Sequence, residues 1–301
     1  MYEIMNYEGW PDCVRLYNEG VEVIAATVIG CRILRAGFIN GQNFFYLSPE
    51  DAGKTGGDDW RIYGGHRLWH APEAIPRSYY PDNRPVEYFL RDNTLTLRQE
   101  REETTGIIKE MEIVLHPSAN ELTITHRLIN KNLWPVSLSP WAISAMAPGG
   151  LAIVPQEPFG EGDEYLLPAR PLILWSYARM QDPRWFWGNE YILGAQDPNE
   201  NSEQKIGVLN KQGWCAYSLN GELFLKRFSY APGRQYPDFN SNNEIYINRH
   251  FLEIETLGPM EDIAPGEAVA HTEHWLISKA TSDNVEEVIG RQILPMTQSF
   301  L

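Results

Sequence analysis

Two carboxylates spaced two residues apart, Glu253 and Glu255, carry the clearest chemical signal in this chain. They lie in the run Glu244–Met260, EIYINRHFLEIETLGPM, which reads as two short strands. Successive strand side chains point to opposite faces. If Leu252 and Ile254 face a core, Glu253 and Glu255 together face away from it. Tyr246 and Asn248, on the preceding strand, line the same surface. Carboxylates, an aromatic and an amide on one sheet face suit the floor of a sugar-binding groove, and equally a solvated strand face. Neighbouring carboxylates raise one another's pKa, which favours a base or a neutral acid. At about 7 Å apart, same-face i, i+2 carboxylates also fall in the range used for glycoside hydrolysis, although such pairs usually come from different strands.

The elements that must position these residues are short strands. Residues 21–28 and 31–39 alternate like strands, and Asn40-Gly41 predicts a hairpin turn into QNFFYL. Residues 50–66 read as a Gly- and Asp-rich loop, and the Pro-rich residues 66–90 as irregular chain. A three-strand meander is expected over 94–130, and a second hairpin, Trp214 to Phe228, turns on Asn220-Gly221. One short C-terminal helix is expected, with Asp283 as cap, Glu286 completing a capping box and Pro295 as its end. No internal repeat or linker divides the chain. The expectation is therefore one domain, 1–301, all-β, built as a large antiparallel β-sandwich with a short C-terminal helix.

Composition narrows the partners. With 25 basic against 40 acidic residues, the formal charge is -15. That argues against a nucleic acid or an anionic membrane as partner, since both require clustered Lys and Arg. No stretch reaches transmembrane length. Cys13, Cys31 and Cys215 form no CxxC or zinc pattern and read as free thiols in a reducing compartment. The N-terminus lacks a basic segment followed by an apolar run, so the expected location is the cytoplasm. No cofactor and no metal are expected. His271 and His274, three apart on a strand, face opposite sides and cannot share a metal ion.

Several runs resemble the galactose mutarotase-like (aldose 1-epimerase) superfamily. TVIGCRILRAGFINGQNFFYL is similar to its opening strands. YGGHRLWHAPE (63–73) resembles its substrate loop, and 124–150 the mid-chain segment ending in the catalytic His loop. FLEIETLGPM (251–260) resembles the late strand bearing the catalytic Glu. The ordered motifs GGHRLW-x-APE, KRF, YPD and E-x-ETLGP…PGE…E-x-W, here within 64–73, 226–228, 236–238 and 253–275, resemble one branch of that superfamily. The resemblance implies a supersandwich with a sugar site on a concave sheet face, and a saccharide as partner of a monomer or homodimer.

In that superfamily a Glu takes the proton of the anomeric hydroxyl and a His protonates the ring oxygen. The resemblance assigns the base to Glu255, with Glu253 as its same-face neighbour, and a sugar-holding role to His66. Arg67 or Arg61 would donate to hydroxyls, Trp69 would stack on a sugar face, and Lys226 falls in the KRF motif. The acid departs from the pattern: Trp141 stands where the acid His is expected, and indole has no titratable proton for the task. Trp141 is then either a sugar platform or core. Another acid would have to come from His126, His271, His274, Lys226 or the protonated member of the Glu pair. Three functions follow: an anomeric epimerase, a carbohydrate-binding protein without catalysis, or a glycosidase or lyase using Glu253 and Glu255.

Overall fold

The computed structural model describes residues 1–158, 160, 162 and 166–298. The chain passes repeatedly between two antiparallel sheets. It begins in the first with β1 (Tyr2–Tyr7), β2 (Trp10–Tyr17), β3 (Val21–Ala26), β4 (Arg32–Phe38) and β5 (His66–Ala71). It crosses to the second for β6 (Glu87–Arg91), β7 (Thr94–Arg98), β8 (Ile107–Leu115) and β9 (Glu121–Asn130). From there it alternates: β10 (Val136–Met146) in the first, β11 (Leu151–Pro155) in the second, β12 (Leu172–Leu174) in the first. The hairpin β13 (Trp185–Trp187) and β14 (Tyr191–Ala195) belongs to the second sheet, and β15 (Gln204–Val208) to the first. The second then takes β16 (Trp214–Leu219) and β17 (Glu222–Phe228), and the first takes β18 (Asn243–Ile247) and β19 (Leu252–Leu257). A short β20 (Glu261–Ile263) pairs with β10, and the long β21 (Ala268–Lys279) closes the second sheet beside β9 and β17.

The first sheet runs β1-β2-β3-β4-β5-β10-β19-β18-β15-β12 and the second β13-β14-β11-β16-β17-β21-β9-β8-β7-β6. Ile33, Leu68, Met146, Ile245 and Ile254 of the first sheet join Met111, Ile124, Phe224, Trp275 and Ile277 of the second in one apolar core. The all-β sandwich is as expected. Among the described residues no helix is long and apolar enough to cross a membrane.

Four local expectations change. His66–Ala71 is a strand inside the first sheet rather than irregular chain, paired with both β4 and β10. Both of its faces are buried, so no polar alternation marks it. Second, Asn40 takes the left-handed conformation at the predicted turn, but residues 42–47 form no strand. The Asn43 side chain accepts from Ala36 N–H and donates to Leu34 C=O, taking the place of a partner strand. Third, the C-terminal helix is capped by Asn284, whose side chain accepts from the N–H groups of Glu286 and Glu287, not by Asp283. Fourth, Pro295 does not end that helix. A π turn at Ile289–Ile293 precedes a further helical turn, Leu294–Gln298, so the chain stays helical through Pro295, which follows the wider turn directly. The Asn220-Gly221 hairpin forms as read, with φ of 47° and 75° at its two turn residues.

Candidate functional site

Side chains on the outer face of the first sheet line a groove of about 570 Å³. Strand alternation selects them. On β19, Leu252 and Ile254 enter the core while Glu253 and Glu255 take the other face. On β5, His66, Leu68 and His70 turn inward, and Arg67 and Trp69 reach the groove. β10 contributes Trp141 and Ile143, β18 Tyr246 and β15 Lys205. Loops add Trp60, Tyr79, Trp175, Tyr177 and Asn248 to the walls, with Glu73, Glu203 and His250.

Register brings the polar groups into contact. Glu255 sits opposite Ile143 on β10 and Glu244 on β18, and Glu253 opposite Tyr246. Arg67 Nη1 donates to Glu253 Oε1 at 2.9 Å. Trp141 Nε1 donates to Glu255 Oε2 at 2.7 Å, and Lys205 Nζ donates to the same oxygen at 3.0 Å. Lys205 also lies 2.8 Å from Glu244 Oε2 and 4.7 Å from the ring centres of both Trp141 and Trp175. Glu255 is thus fully buried beneath the floor, with Oε1 free of any hydrogen bond.

Burial alone would strip the proton from Lys205, but Glu244 and Glu255 outweigh it and hold the ammonium well above its ordinary pKa. Burial pushes Glu244 well up, against the pull of Lys205. Burial likewise raises Glu253, with Arg67 opposing and Glu255 adding to the rise. Charge in the floor is therefore held as two buried ion pairs, Arg67–Glu253 and Lys205–Glu255.

No protein-family model and no curated protein matches the chain. Solved structures do match it. A galactose mutarotase-like protein from Lactobacillus casei aligns with a TM-score of 0.58 at 8% identity, over 88% of this chain and 100% of that one. Another from Clostridium acetobutylicum aligns at 0.57 and 11% identity, over 93% and 98%. The Slr1438 protein from Synechocystis gives 0.58 at 13% identity, over 93% and 100%. The chain has the galactose mutarotase-like fold.

Within this mutarotase-like fold, Glu253, Arg67, Trp69, Trp141, Tyr246 and Asn248 line one groove, with Glu255 directly under it. Three of the sequence candidates lie elsewhere. Arg61 lies outside the lining, bonded to Gly56 C=O and Tyr63 OH. His66 and Lys226 project from the inner faces of β5 and β17 and are fully buried between the sheets, because they share strand parity with core residues Leu68 and Phe224. There they join a closed polar network. His66 bonds Ser144 Oγ at 2.8 Å and His126 Nε2 at 2.7 Å. Glu273 accepts from Lys226 Nζ at 2.9 Å, from Trp275 Nε1 at 2.7 Å and from Thr256, which also bonds His271. His66, His126 and Glu273 bring three ligand-type atoms within 4.8 Å of one another. Each of the three is already hydrogen-bonded within the network, so the cluster reads as a structural one.

Lys205, Trp60, Tyr79, Trp175 and Tyr177 were missed from sequence. Lys205 left one usable signal, a lone cation alternating with Gln204, Ile206 and Val208. The loop aromatics left none, since nothing local says which side of the sheet a loop covers.

Proposed function

We propose that this chain binds a saccharide in the groove on the outer face of its first sheet. The observation that carries the reading is the lining itself: indole and phenol rings from β5, β10, β18 and three connecting segments surround hydrogen-bonding groups. Rings offer flat apolar surface to the C–H faces of a sugar, and the polar groups meet its hydroxyls. The buried ion pairs fix those polar groups before any ligand arrives, which lowers the entropic cost of binding. The test is calorimetric titration of the protein with neutral sugars. Saturable binding that Trp69→Ala weakens is expected; a flat titration across such sugars overturns the reading.

A second reading, anomeric interconversion with Glu255 as base, is favoured by Glu255 Oε1, buried under the groove and carrying no hydrogen bond. A proton acceptor needs a free lone pair of this kind. Trp141 then acts as an anchor for the opposite oxygen rather than as an acid. Polarimetry of a freshly dissolved aldose decides it. Acceleration that Glu255→Gln abolishes is expected, and an equal rate in the variant removes the catalytic reading while leaving binding intact.

A further inference from the structure

We infer that the groove is built for a neutral saccharide of more than one ring, rather than for a single sugar or a phosphorylated or acidic one; this rests on the saccharide reading above. Size is the first argument. Even at the roughly 30 Å³ that liquid water takes per heavy atom, the dozen heavy atoms of a hexose fill about 360 Å³. The groove holds about 570 Å³, so even at that generous rate one ring leaves more than a third of it unfilled.

The second argument is the placing of the aromatic walls. Trp60 and Tyr79 form one wall with the β5 residue Trp69, at ring separations of 5.6 and 5.1 Å from it. Trp175 stands at the β15 side, over Lys205. β10, β19 and β18 lie between those two strands, and the ring of Trp141 on β10, 5.4 Å from Trp69 and 4.7 Å from Lys205, continues the aromatic surface from one wall towards the other. A second ring laid along this surface adds stacking that a single ring on the Trp69 wall does not use.

The third argument is charge. The Lys and Arg side chains in the lining already face carboxylates: Arg67 faces Glu253, and Lys205 faces Glu255 and Glu244. Glu73 and Glu203 are exposed at the rim. Arg77, on the turn that follows β5, donates to Pro72 C=O and His70. A phosphate or uronate would meet the rim carboxylates and compete with Glu253, Glu255 and Glu244 for cations already paired, so its desolvation would be poorly compensated.

The experiment compares affinities in one series: glucose, galactose and mannose, the homotrisaccharide of each, glucose phosphate and glucuronic acid. At least one trisaccharide should bind about tenfold or more tightly than its monosaccharide. The two anions should bind more weakly than glucose. Trp175→Ala should bring the trisaccharide-to-monosaccharide ratio towards one. Equal affinity for one and three rings, or tighter binding of either anion, overturns this inference while leaving saccharide binding standing. Absence of binding by every neutral sugar overturns both.

Discussion

Lys205 decides how the floor of the groove behaves. It is the cation shared by Glu255 and Glu244, all three nearly or fully buried. Replacing it by Met keeps the length of the side chain and strands two buried carboxylates. Breaking a buried pair in this way costs about 3–5 kcal/mol, to be read from urea denaturation at neutral pH. The pH dependence identifies the cause. Without the ammonium, the burial that already raises Glu244 goes unopposed, so the folded form would bind protons more tightly than the unfolded one. The defect should shrink as pH falls from neutral towards about 4.5, the ordinary value for Glu, where the recovery is complete. A defect constant with pH would mean that lost packing, not lost charge, is the cause. At this scale the sequence disclosed Glu253, Glu255 and Trp141 but not the cation that links them. Carboxylate spacing is a local property, whereas the Lys205–Glu255 contact joins residues 50 apart across an intervening strand.

Among the elements, β5 sets the position of Arg67 and Trp69, and its entry depends on Gly64 and Gly65. Both have positive φ, 88° and 70°, and a Cβ on Gly65 would lie 2.3 Å from Ile33 C=O. Gly65→Ala must therefore either adopt a strained backbone or push β5 from β4. A loss of more than about 1 kcal/mol of stability is expected, together with weakened saccharide binding, since β5 carries two groove residues. Thermal denaturation and calorimetry on the same sample check both. Gly221→Ala at the β16–β17 turn, where φ is also positive but nothing crowds the Cβ, should cost stability and leave binding unchanged. The contrast between these sites also shows what the sequence could reveal. The Asn220-Gly221 turn was legible because its chemistry is local. β5 was not, because a strand buried on both faces, with His66, Arg67 and His70 among apolar neighbours, shows no period of two. His66, Arg67 and His70 find their partners far along the chain, in Ser144, Glu253 and Glu102.

For the whole molecule, the network between the sheets ties stability to pH. Ser144, His66 and Thr256 come from the first sheet, and His126, Lys226, His271 and Glu273 from the second. Burial is the largest influence on each of these histidines and keeps them neutral: His271 is pushed down to about 3, His126 is lowered, and His66 is well below its ordinary 6.5. The unfolded chain thus binds protons that the folded one refuses. Their contribution is complete above about pH 6.5 and is lost progressively as pH falls towards 3. Glu273 is also burdened by burial, but Lys226 and the histidines outweigh that and hold it at about 2, so its contribution is lost at still lower pH. Glu244 acts in the opposite sense, stabilising below its raised pKa and losing that as pH rises. The urea midpoint should therefore climb steeply between about pH 3 and pH 6.5, and His271→Gln should flatten that climb. An unaltered slope in the variant would show that His271 does not carry it. The sandwich architecture itself was legible at this scale, because alternating strands and Asn-Gly turns recur along the chain. The pairing of inner faces was not, and it is what moved His66 and Lys226 from the site to the interior.

The three thiols take a further meaning from that interior. Cys13, Cys31 and Cys215 are all buried and unpaired, and burial raises their pKa values to about 11, 12 and 12. Cys31 and Cys215 point into the space between the sheets, where an alkylating reagent cannot meet them and almost no thiolate exists to react. Modification at these two positions therefore keeps time by the opening of the sandwich. In this chain cysteine chemistry is a clock for unfolding, not a probe of the surface.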